Sequence, residues 1–146
     1  MDLKTYLTDI CHPSVSEFKS SPTSYYRAWV ATIALFHFCD WYSKAHNVKL
    51  EDVKSKFISD FPHFKAIEDI ANANKHFELD RKGNRKGLSA EHFPIGRGAA
   101  FSDGSYFSDG STFSDAPNVI RMEFQGERID VLHLCKQTLT YLEGKA

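Results

Sequence analysis

The stretch from Pro22 to His46, PTSYYRAWVATIALFHFCDWYSKAH, contains no Gly, has no Pro after its first residue, and is apolar on most of the faces that a helix would present. A helix of this kind has no solvent side of its own, so it must be the central, mostly buried element. Pro22 suits a first-turn position, and Asn47 interrupts the run at its far end.

The flanking segments carry one-sided patterns that could wrap such a helix. Leu3, Tyr6, Leu7 and Ile10 recur at helical spacing after Asp2, which predicts a short amphipathic helix with an acidic cap, ended by His12-Pro13. Ser14 and Glu17 have the capping-box spacing and predict one or two further turns before the Ser21-Pro22 break. Leu50, Val53, Phe57, Ile58 and Phe61 mark a helix closed by Pro62. Asp60 can cap the next one, which carries Phe64, Ile67, Ile70, Ala71 and Phe77 along its buried side. Connections this short imply an antiparallel bundle.

The composition then changes. DRKGNRKG at 80–87 reads as an exposed loop or hairpin tip, and from Leu88 to Asp115 the chain is rich in Gly and Ser without a helical period. Within it, FSDGSYFSDGSTFSD at 101–115 states a six-residue unit twice and begins a third. Each unit reads as an Asp-Gly turn followed by an inward Phe, against the alternatives of a flexible loop and an ion or partner ladder. Ile120, Met122 and Phe124 alternate with Arg121 and Glu123, the pattern of a strand with one buried face. Gln125-Gly126 turns the chain, and Asp130 caps a last helix with Val131, Leu134, Cys135, Leu139 and Leu142 on one stripe.

The expected fold is α+β, a mostly helical bundle of four or five helices with a small antiparallel β insertion before the C-terminal helix. A chain of 146 residues suits a single domain, divided into a helical part (1–78), a loop and β insertion (79–127) and the C-terminal helix (128–146).

Charge and cysteine usage exclude several classes of function. Eighteen Lys and Arg against nineteen Asp and Glu leave a net charge of −1, which gives no global field for gathering nucleic acid or an anionic membrane. The three cysteines are far apart and never form C-x-x-C, which argues against a disulfide scaffold and a thiolate zinc site. No secretory leader pattern and no apolar run of roughly 18 residues is found, so the expected location is cytoplasmic, with no membrane partner. Phosphate-loop, nucleophile-elbow and dinucleotide fingerprints are absent, and no metal or cofactor is expected.

Three groups of residues could carry function. Lys65, Asp69, Asn72 and His76 fall at spacings of four, three and four on one helical stripe, with Lys75 beside it. An Asp, an Asn and a His on one face could orient a water or hold a phosphate. The ordinary reading is a solvated helix face with a His near the helix C-terminus. His37 and Asp40 stand three apart in the apolar run FHFCDWY, which predicts a core pair coupled to each other or to Arg27, or else the wall of a pocket. Arg81, Lys82, Arg85 and Lys86 form a basic loop able to contact phosphates, and so RNA.

The order DIANANKHF at 69–77, a Gly- and Asp-rich β segment, then VIRMEFQGERIDVLHL at 119–134 resembles small uncharacterised bacterial and phage proteins with an ANASKH-like helix, Asn74 replacing the Ser of that pattern. The resemblance implies that Asn72, Lys75 and His76 are shared residues. The helical architecture is also similar to the HEPN superfamily, helical bundles that include RNases with an Arg, four to six residues, then a His. Arg128 and His133 have four residues between them, and Arg85 and His92 have six. That likeness implies Arg128 and His133 as catalytic candidates, although the family places both on one helix and this pair straddles a helix start. The function expected is binding a protein partner in bacterial or phage defence or counter-defence, with a metal-independent HEPN-type RNase as the alternative. A homodimer is compatible with both.

Overall fold

The computed structural model describes residues 1–73 and 119–146, together with the backbone of 95–96. Five helices are present among the described residues. Helix α1 runs through three contiguous segments, Leu3–Tyr6, a π-helical Leu7–Cys11 and His12–Ser20. It is followed by α2 (Tyr25–His46), α3 (Leu50–Asp60), α4 (Phe64–Ala73) and, at the C-terminus, α5 (Val131–Glu143). Strands β1 (Ile95–Gly96), β2 (Val119–Phe124) and β3 (Glu127–Asp130) form an antiparallel sheet in that order. The α+β class expected from the sequence is the class observed.

Helix α2 is the axis of the bundle. Its 22 residues span about 33 Å, and α1, α3, α4 and α5 all pack against it. Ser24 caps its start by accepting the Arg27 N–H, and Asn47 ends it in the left-handed region at φ 52°. Ala28, Ala31, Leu35, Phe38 and Cys39 on the inward side are almost wholly buried. The small residues let neighbouring helices approach, while Phe38, Phe57 and Phe64 fill the space beyond, with Phe57 edge-on to both Phe64 and Tyr141 at 5.5 Å.

Helix α1 corrects two readings of the sequence. His12-Pro13 does not end the helix, and Ser14 does not start a new one. Pro13 lacks an N–H, and its ring would strike the carbonyl four residues earlier in a regular α-helix. The π turn widens the helix there, with the His12 N–H donating to the Leu7 carbonyl, and the Ser14 hydroxyl donates to the Ile10 carbonyl at 2.7 Å. The chain therefore continues past Pro13. Tyr6 and Cys11 both reach the Ala34 carbonyl of α2, at 3.0 Å and 3.6 Å, and the Tyr6 ring stacks on Trp41.

Asp60 is likewise not the cap of α4. It closes α3, and its Oδ2 accepts from Lys145 Nζ at 3.0 Å and from the Tyr141 hydroxyl at 3.2 Å, with Lys56 Nζ at 3.5 Å. Two ammonium groups and a phenol hold the carboxylate against the C-terminal end of the chain, away from the first turn of α4. His12 and Glu143, 3.2 Å apart, join α1 to α5 in the same way.

The β element follows its pattern. Ile120, Met122 and Phe124 are buried, whereas Glu123 faces solvent. Gln125 (φ 52°) and Gly126 (φ 81°) provide the two left-handed residues of a tight hairpin turn. The last helix starts at Val131 rather than 128, because Arg128, Ile129 and Asp130 pair with Glu123, Met122 and Arg121 as a strand.

The Asp60 contacts make a pH-dependent clamp. The Lys145 hydrogen bond, ahead of the other contacts, holds the Asp60 carboxyl below the usual carboxylate range. A depressed folded-state pKa contributes stability that is complete above the unfolded value of about 3.9 and is lost as the pH falls through the folded value. Asp60→Asn is therefore expected to melt below the wild type at neutral pH, and the gap should close in scanning calorimetry below about pH 3. A gap of the same size at both pH values would show that the Asn acts through packing instead.

Candidate functional site

On α4, Lys65, Glu68 and Asp69 stand three and four residues apart and meet as an ionic triad. Lys65 Nζ contacts the Glu68 carboxylate and lies 3.2 Å from Asp69 Oδ1. The stripe read from the sequence as a solvated face is buried at this end, where the Glu68 and Asp69 side chains are only 10% and 5% exposed. Every described residue of α4 is buried or half-buried, so the two carboxylates leave water together with the ammonium that spans them. Glu68 and Lys54 are close enough to Cys39 to act on its thiol, which burial above all pushes up to about 12. Lys54 itself sits over the Phe36 ring at 5.5 Å and pairs with Glu51. Sequence spacing had placed Lys65 and Asp69 together but not Glu68, whose burial depends on how α4 is rotated against α2.

Asn72 is half-buried one turn further along α4. Lys75, His76 and the basic loop residues Arg81, Lys82, Arg85 and Lys86 lie outside the described residues, as do His92 and the 101–115 repeat. Arg128 and His133 are both exposed, the first on β3 opposite Glu123 and the second in the first turn of α5, its N–H donating to Asp130 Oδ1.

His37 and Asp40 are coupled to each other, as expected, with His37 Nδ1 2.9 Å from Asp40 Oδ2. They are not a core pair, however, since their side chains are 39% and 43% exposed. Their spacing puts them on the side of α2 that its neighbours among the described residues leave open. Arg27 is not their partner. Its Nη1 donates to the Glu17 carbonyl and to the Ser20 and Ser21 hydroxyls at the start of α2. A hollow of about 190 Å³ lies elsewhere, between Tyr42, His46, Val48, Asp52, Val53 and Lys56. It is smaller than the roughly 300–1,000 Å³ of ordinary small-molecule sites. Among the described residues, no group of three or more His, Cys, Asp or Glu is placed to hold a metal ion.

The open side of α2 is the feature that sequence reasoning missed. Tyr26 is 74% exposed and Val30 36%, and half-buried Ile33 continues the line one turn on, before His37 and Asp40. Trp29 flanks the line beside Tyr25, and Lys44 lies over the Trp41 ring at its far end. The 26, 30, 33, 37 spacing was present in the sequence. A segment apolar on most faces gave no way to tell which face would stay open.

No protein-family model matches the chain, and neither a curated protein nor a solved structure is detectably similar to it.

The triad is expected to be structural. Lys65→Met would leave two buried carboxylates without the ammonium between them and should cost about 3 kcal/mol or more in urea unfolding. Replacing all three together, Lys65→Met with Glu68→Gln and Asp69→Asn, should recover part of that loss. A single-substitution loss below about 1 kcal/mol would instead assign Glu68 and Asp69 to other cations.

Proposed function

We propose that the chain acts by binding a protein partner through the open face of α2. The observation that carries this reading is the Tyr26, Val30, Ile33 line. A tyrosine, a valine and an isoleucine stand in a row on the solvent side of the central helix, bordered by Trp29. A lone exposed apolar side chain is ordinary, but a contiguous row rimmed by polar residues is the form that binding surfaces take. The composition suits the task. Tyr and Trp supply rigid contact area with a polar edge, and the His37–Asp40 pair provides the polar rim at one end. A bacterial or phage defence or counter-defence setting is part of the same proposal.

The HEPN-type RNase reading has less behind it. It requires an Arg and a His converging on one groove, and Arg128 and His133 sit on a strand and on the helix that follows it.

The double variant Tyr26→Ser/Val30→Asp separates binding from folding. Both positions are exposed, so its unfolding free energy should stay within roughly 0.5 kcal/mol of the wild type. Affinity for the partner recovered by affinity purification should fall at least about tenfold, the loss usual when a central aromatic or apolar contact is removed. Equal recovery of the same proteins by variant and wild type would remove α2 as the binding face.

A further inference from the structure

We infer that the α2 face binds a second copy of this chain, as an antiparallel α2–α2 pair around a two-fold axis. The inference rests on the reading of that face as a binding surface and adds the identity of the occupant. In an antiparallel pair, positions whose numbers share a constant sum face each other. The sum that places Val30 against Ile33 of the other copy, in both directions, also places Tyr26 against His37. Apolar side chains then cover apolar side chains, and the phenol meets an imidazole with which it can hydrogen-bond.

The charges favour this register. Beyond His37, the same pairing carries Asp40 of each copy to Thr23 and Ser24 of the other, just before the first turn of α2. Arg27 lies there, and its Nη1 is held by three neutral oxygens, those of the Glu17 carbonyl and the Ser20 and Ser21 hydroxyls. A carboxylate arriving at that point meets both a fixed guanidinium and the positive end of a long helix. The two-fold axis makes the contact twice. The face is thus complementary to itself, with its apolar half central and its acid matched to its own basic end.

Sedimentation equilibrium from micromolar to millimolar concentration tests the pairing on the full chain. The wild type is expected to dimerise. Val30→Asp should be monomeric and should melt with the wild type at concentrations where the wild type is itself monomeric, and Asp40→Arg should weaken the dimer at least about tenfold. Combining Asp40→Arg with Arg27→Glu, which exchanges the two charges, should restore most of that loss. Cross-linking reports the register directly, because the three native cysteines are buried and do not compete with introduced thiols. Chains carrying Val30→Cys mixed with chains carrying Ile33→Cys should oxidise mainly to the mixed dimer. A wild type that stays monomeric at millimolar concentration overturns the inference, as does a dimer indifferent to Val30→Asp and Asp40→Arg. If the monomer still captures another protein that Tyr26→Ser/Val30→Asp loses, the face is a binding surface with a different occupant. If it captures nothing, both readings fall.

Discussion

Helix α2 is apolar around nearly its whole circumference, and the chain must therefore supply cover on every side or leave one side bare. Four helices lie against it; α1, α3 and α5 keep exposed polar residues in water, whereas no described residue of α4 is exposed. Ala28, Ala31 and Ala34 admit close neighbours, while Phe36 and Phe38 reach outward to fill the gaps between them. Burial of this kind scales with area, so the stability of the domain is concentrated along one axis. The last helix and the residues after it are then fastened to α1 and α3 by polar contacts, His12 to Glu143 and Asp60 to Lys145, that contribute direction more than energy.

The polar groups taken inside follow from the same constraint. An α4 without an exposed residue takes Glu68 and Asp69 inside with it, and Lys65, one turn earlier, spans both. Thr32 and Thr138 face the same problem with smaller groups and solve it locally, each donating its hydroxyl to a carbonyl of its own helix. Tyr6 and Cys11 share the Ala34 carbonyl for the same reason. Thr32, Thr138, Tyr6 and Cys11 are thus satisfied within their own helix or by the backbone of α2, and the Lys65 triad adds charge to the same arrangement.

Much of the architecture was legible because its signals are short-range. The alternation of Ile120, Met122 and Phe124, the Gln125-Gly126 turn, the Asp130 cap and the Asn47 stop are each decided within a few residues, and each appears in the structure. The misreadings occur where a local signal met a longer-range one. Pro13 is a helix breaker by itself, but the contacts of Tyr6 and Cys11 with α2 favour a π turn that keeps the helix going. Asp60 is a good cap by itself, but Lys145, far along the chain, binds it more strongly. His37 and Asp40 lie in an apolar sequence that implies burial, yet which side of α2 stays open is set by four other helices. Of the candidate site, Lys65 with Asp69 was legible from spacing, whereas Glu68 and the Tyr26 line depended on rotation about a helix axis.

Rotation is also what links the core to the surface. Once α1 is tied to the Ala34 carbonyl and α4 is held by its triad, α2 has no remaining freedom to turn its last face inward. Tyr26 and Val30 are exposed, and Ile33 half-buried, because the opposite side of the same helix is packed, not because their own residue types favour water. A face made this way is rigid, since moving it would unpack the core behind it. Rigidity lowers the ordering cost of association, so a short row of side chains on the central helix binds better than the same row on a loop. The packing that stabilises the fold and the surface proposed to meet a partner are two sides of one helix.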